Sequence, residues 1–74
     1  MTDVEQEGDR LRTFRAQLVL QGESLSAFAA NLGVQSNHVR LVLQGKRDSK
    51  RIEEAVASWY TEHGLRLPWR RRAS

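Results

Sequence analysis

The chain contains no cysteine, which excludes a disulfide framework and any thiolate metal site. Its two histidines alone make a weak case for a metal. Proline occurs once and the hydrophobic content is 39%, a balance that suits a compact helical domain better than a disordered segment. No apolar run approaches membrane-spanning length, and the acidic first residues do not resemble a signal peptide. A cytoplasmic location without membrane contact is therefore the expectation. There is no nucleophile–base set, metal cluster or phosphate-cradling glycine loop. The chain is accordingly expected not to be an enzyme and to need no cofactor or small-molecule ligand. Seventy-four residues make one domain at most. A core this small is marginal alone, so dimerisation or a bound polymer would add stability.

What is present is an uneven distribution of charge. The net charge is +3, but residues 1–9 hold Asp3, Glu5, Glu7 and Asp9 with no basic side chain. Residues 10–74 then carry twelve basic against five acidic side chains, a balance of +7. Such a surface suits a polyanion, although a basic surface also serves solubility alone.

The apolar residues of segment 25–44 change phase once, at Gly33. Before it, Leu25, Phe28, Ala29 and Leu32 fall at i, i+3, i+4 and i+7, one face of a short helix. After it, Val34 and then Val39, Val42 and Leu43 mark a second. Two short amphipathic helices joined by a glycine-containing turn read as a helix-turn-helix, whose second helix enters the major groove of DNA while the first crosses the backbone.

The flanking sequence predicts two further helices. The first runs from about Asp9 to Gln21 on a stripe of Leu11, Phe14 and Leu18, with Gly22 closing it. Gly8 works against helix continuity, so residues 1–8 are expected to form a flexible acidic N-terminus. Ser24 caps helix 2, about 25–32, in which Ala27, Ala29 and Ala30 permit close packing. Gln35 or Ser36 caps helix 3, which runs to about Gln44 and ends at Gly45. Asp48 or Ser49 caps helix 4, about 49–63, with Ile52, Ala55, Val56, Trp59 and Tyr60 inward and Gly64 as the stop. The expected architecture is thus all-α, with four main helices in residues 9–64 and a basic tail over 65–74. Leu65-Arg66-Leu67 alternates like a short strand that could pair across a dimer.

With Val39, Val42 and Leu43 inward, a turn of about 100° per residue puts Asn37, Arg40, Leu41 and Gln44 on the opposite face of helix 3. Ser36 lies at its N-terminal end, where a recognition helix reaches base edges. Asparagine and glutamine pair with adenine, arginine with guanine, serine with several bases, and leucine can touch a thymine methyl. The same residues would also suit an ordinary solvated face, Arg40 would suit a phosphate, and Leu41 a protein contact. Lys46, Arg47, Lys50 and Arg51 flank the junction of helices 3 and 4 and are candidates for sequence-independent phosphate contacts. Ser24, His38 and the tail residues Arg70, Arg71 and Arg72 are further phosphate candidates. Trp59 and Tyr60 read as core, His63 as part of a terminal turn, and Trp69 as an aromatic in a tail that could follow DNA.

Segment 24–51 resembles the phage repressor/Cro family of lambda-repressor-like helix-turn-helix domains. The resemblance rests on Ala29 in mid-helix 2, Gly33 in the turn, apolar Phe28, Leu32, Val34, Val39 and Val42, and the basic Gly45-Lys46-Arg47 and Lys50-Arg51. With helices 1 and 4 it covers about three quarters of the chain, and it places base readers at Ser36, Asn37, Arg40 and Leu41. Two features depart from the family. Leu25 stands where glutamine often braces the recognition helix, and a basic tail replaces a fifth helix. The implied function is a sequence-specific regulator of double-stranded DNA, acting by operator occupancy, with a homodimer covering two half-sites. It also resembles short temperate or transposable phage regulators. An accessory factor of transposition or excision, an antitoxin, or a protein-interaction adaptor retaining the fold are the alternatives.

Overall fold

The computed structural model describes the backbone of residues 3–69 and the side chains of residues 10–69. Within these residues it is all-helical, with α1 (Asp3–Leu20), α2 (Leu25–Leu32), α3 (Ser36–Leu43) and α4 (Lys50–Glu62) in chain order. No helix among them is long and apolar enough to cross a membrane.

Each helix ends where the sequence supplies a stop. Gly22, Gly33, Gly45 and Gly64 all have positive φ. In each case the next amide reaches back to the final turn: Glu23 to the Leu18 carbonyl, Val34 to Ala29, Lys46 to Leu41 and Leu65 to Tyr60. This closure satisfies carbonyls that a helix end otherwise leaves open. At Gly33 it also fixes the reversal between α2 and α3, because φ is 76° there and a Cβ would be strained in that region. Two starts are capped by side chains. Ser24 accepts from the Ala27 amide at 3.1 Å and Ser49 from Ile52 at 3.3 Å. The N-cap of α3 is Gln35, which makes no side-chain cap bond.

Helix α1 begins at Asp3, not at Asp9 as the sequence suggested. One interior glycine costs about 1 kcal/mol relative to alanine, which weakens a helix without ending it. Acidic residues near a helix N-terminus act in the opposite direction by complementing the dipole.

The core centres on Phe14. Its ring meets Phe28 edge-on at 4.9 Å and Trp59 edge-on at 5.3 Å, with Tyr60 tilted at 6.0 Å. Leu11, Leu18, Ala29, Val39, Val42, Leu43, Ile52 and Val56 complete it. Ala29 is buried, whereas Ala27 and Ala30 are exposed, so only one of the three alanines supplies close packing. Leu25 packs against this core, which gives an apolar residue a use at the first position of α2. Helix α3 contacts each of the other three helices. Its inner face is therefore held from three sides.

Residues 65–69 are not a free tail, and they form no strand. Leu65, Leu67 and Trp69 pack against the core, while Arg66 and Pro68 are exposed. The alternation is that of an extended segment, in which every second side chain shares a side. Here that side closes over the bundle, and Trp69 meets Tyr60 edge-on at 5.8 Å.

Candidate nucleic-acid interface

The inward pull on Val39, Val42 and Leu43, all buried, sets the rotation of α3. Asn37 and Arg40 are exposed as a result, and Ser36 and Gln44 are half-buried. Leu41 is half-buried rather than exposed, so less of it is free for contact than the wheel alone implied. Arg40 and His38 sit two residues apart, about 160° around the helix, and so occupy opposite edges of the outer face.

Different neighbours meet these edges. At one, a groove between α1 and α3 brings Arg40 and Gln44 together with Arg12, Arg15 and Val19. At the other, the Arg47 guanidinium donates to His38 Nδ1 at 3.2 Å. A guanidinium has no acceptor, so Nδ1 accepts and the ring proton sits on Nε2, where it can donate. Sequence inspection missed Arg12 and Arg15. They follow Leu11 and Phe14 on α1, and only the packing of α1 against α3 brings them to Arg40.

Lys46, Arg47, Lys50 and Arg51, the basic cluster after α3, are all exposed. Arg51 also donates to the Leu32 carbonyl. That bond places a cation at the C-terminal end of α2, where the helix dipole favours it, and ties the first turn of α4 to α2. Ser24 spends an acceptor lone pair on its cap and keeps a hydroxyl proton that can donate. Arg70, Arg71 and Arg72 lie outside the described residues.

Arg10 is the buried support of α3. Its side chain is 6% exposed, donates to the Val42 carbonyl at 3.1 Å and lies 3.9 Å from Glu53. The contact sets a positive charge against the last turn of α3 and links α1, α3 and α4. A signal existed in the sequence, because Arg10 precedes Phe14 by one helical turn and shares its face.

A second polar link joins the chain at a distance. Glu23 accepts from Trp59 Nε1 and from His63 Nε2, each at 3.1 Å, and His63 Nδ1 meets the Trp59 carbonyl at 2.8 Å. Both imidazole nitrogens therefore face oxygen acceptors, and only the protonated ring can donate to both. The His63 pKa is raised above 6.5, first by the bond to the Trp59 carbonyl and then by Glu23, against an opposing effect of burial. The ring also stacks on Trp59 at 4.1 Å. Nothing local in the sequence announces Glu23, whose partners lie 36 and 40 residues away.

Comparison with protein families, curated proteins and solved structures finds no significant match to this chain. The case for function therefore rests on the geometry and chemistry of the chain itself. An outer face on α3 carries amide and guanidinium groups able to read bases, and both of its edges carry nitrogen donors suited to phosphate.

Proposed function

We propose that the protein is a sequence-specific double-stranded DNA-binding regulator acting by operator occupancy. Helices α2 and α3 serve as the helix-turn-helix, with α3 as the recognition helix. The observation that carries this reading is the outer face of α3, with Asn37 and Arg40 exposed beside Gln44 and basic groups on both flanks. Ser36, Asn37, Arg40, Leu41 and Gln44 are the base-facing set. Lys46, Arg47, Lys50 and His38 supply backbone contacts, with Ser24 and the α2 N-terminus holding a further phosphate. The resemblance to phage repressors supports the same assignment. Two copies on a palindromic site would place their α3 helices about one DNA turn apart.

The test is enrichment of bound sites from random duplexes, followed by affinity measurements on the enriched and random DNA. Asn37→Ala and Arg40→Ala should each relax preference at particular base pairs, by about 1–3 kcal/mol per lost bidentate contact. Equal losses on specific and random DNA would reassign both residues to phosphate. Binding of the unaltered chain should weaken steeply with salt through counterion release.

A protein-interaction adaptor is the second reading. It is favoured by Val19 and Leu20, which are 71% and 74% exposed at the end of α1. Salt-insensitive or absent binding to duplex DNA would support it over the first.

A further inference from the structure

None of the phosphate candidates read from the sequence lies on α1. The tertiary structure adds a basic edge there. We propose that Arg12 and Arg15 of α1, beside the base-facing Arg40, form a second phosphate-contacting rail, so that α3 enters the major groove with a basic rail on each flank. This rests on the reading of α3 as a DNA-recognition helix.

Three observations converge on it. Arg12, Arg15 and Arg40 line one groove although they come from two helices. All three are exposed, so contact with a phosphate needs no rearrangement of the core. The groove lies at the edge of α3 opposite His38 and Arg47, which form the first rail. A major groove is about 12 Å wide and accepts an α-helix, and its two edges are the two phosphodiester strands. A helix bearing cations along both edges and neutral readers between them matches that arrangement. Asn37 and Leu41, between the rails, are uncharged.

The floor of the groove is compatible with this role. Leu11, Ala16 and Val19 line it beside the arginines. Arginine stems lie readily along apolar surface while the guanidinium stays in water. A phosphate strand passing the rim would meet the charged ends. Helix α1 would then do more than support the helix-turn-helix. Its Arg10 holds α3 from below, and its next two arginines would widen the footprint at the edge of α3 that carries Arg40 and Gln44.

Fluorescence anisotropy on a random-sequence duplex, with salt varied between about 50 and 200 mM, decides the matter. The double variant Arg12→Gln/Arg15→Gln should lower the magnitude of the log-affinity against log-salt slope by about two. Across that fourfold salt range, its affinity should fall about tenfold less than that of the unaltered chain. Arg12→Lys/Arg15→Lys should keep the slope, because backbone neutralisation needs the charge and not the planar fork. Ser58→Glu/Thr61→Glu, on the outer face of α4, changes net charge by the same amount and should leave the slope within one of the original. Circular dichroism of each variant confirms that the fold is kept. A glutamine variant matching either the unaltered chain or the α4 control would overturn the proposal. Absence of salt-dependent binding by the unaltered chain would instead overturn the DNA reading of α3, and the second rail with it.

Discussion

Trp59→Ala removes a ring that touches Phe14, Tyr60 and His63 at once. The residue is 5% exposed, so nearly all of its surface is lost from contact and little of the gap opens to water. Truncating a buried tryptophan to alanine costs about 3–5 kcal/mol, combining lost transfer energy with the cavity left behind. A domain of this size has about 5–15 kcal/mol in total and a small core places it low in that range. At roughly 4–8 °C per kcal/mol, the unfolding temperature should fall by about 12–40 °C. Trp59→Phe separates packing from hydrogen bonding. It keeps a ring against Phe14 and removes the Nε1–H that Glu23 accepts. The Glu23 side chain is 37% exposed, so water replaces much of that bond, and the phenylalanine variant should lose only about 1–2 kcal/mol. Urea unfolding followed by far-ultraviolet circular dichroism measures all three proteins. A Trp59→Ala loss below about 1 kcal/mol would refute the argument that this aromatic cluster is the core.

Three further outcomes are expected. The His63 pKa is raised on folding, so the native state holds the extra proton. Its contribution is full below about 6.5 and is lost as pH rises through the higher folded value. The urea midpoint should fall across that window, and Glu23→Gln should flatten the dependence; equal profiles for both proteins would remove Glu23 from the account. Gly33→Ala should cost about 1–2 kcal/mol from left-handed backbone strain alone, since no atom lies within 4 Å of the added Cβ, and Gly33→Asn should recover part of the loss in the same unfolding assay. Arg10→Ala should destabilise by about 3 kcal/mol or more, because Val42 loses a donor and Glu53 its partner in a buried setting, whereas Arg10→Met should cost less by filling the volume; equal losses for the two variants would show that charge, not packing, dominates at this position.

Much of the helical plan is legible in the sequence alone. The glycines at 22, 33, 45 and 64 and the serines at 24 and 49 act through their own backbone or over three or four residues. Local sequence therefore bounded α2, α3 and α4 to within a residue or two. The inward stripes of α1 and α4 were readable for the same reason, because helical periodicity is a local property. Local propensity misjudged one place where a local cost was outweighed: Gly8 does not end α1. The alternation of Leu65-Arg66-Leu67 was legible, and its apolar side closes over the core.

The outer face of α3 was likewise legible as a list of residues, since its buried stripe determines which side chains remain outside. What borders that face was not. Arg12 and Arg15 meet Arg40 only because α1 crosses α3, and Arg51 turns to Leu32 only because α4 starts beside the end of α2. Glu23 reaches Trp59 and His63 across 36 and 40 residues of the chain. A sequence read alone shows which residues share a helix face, because that follows from a fixed turn per residue. It does not show which faces meet, because that is decided by how four apolar stripes pack together around Phe14.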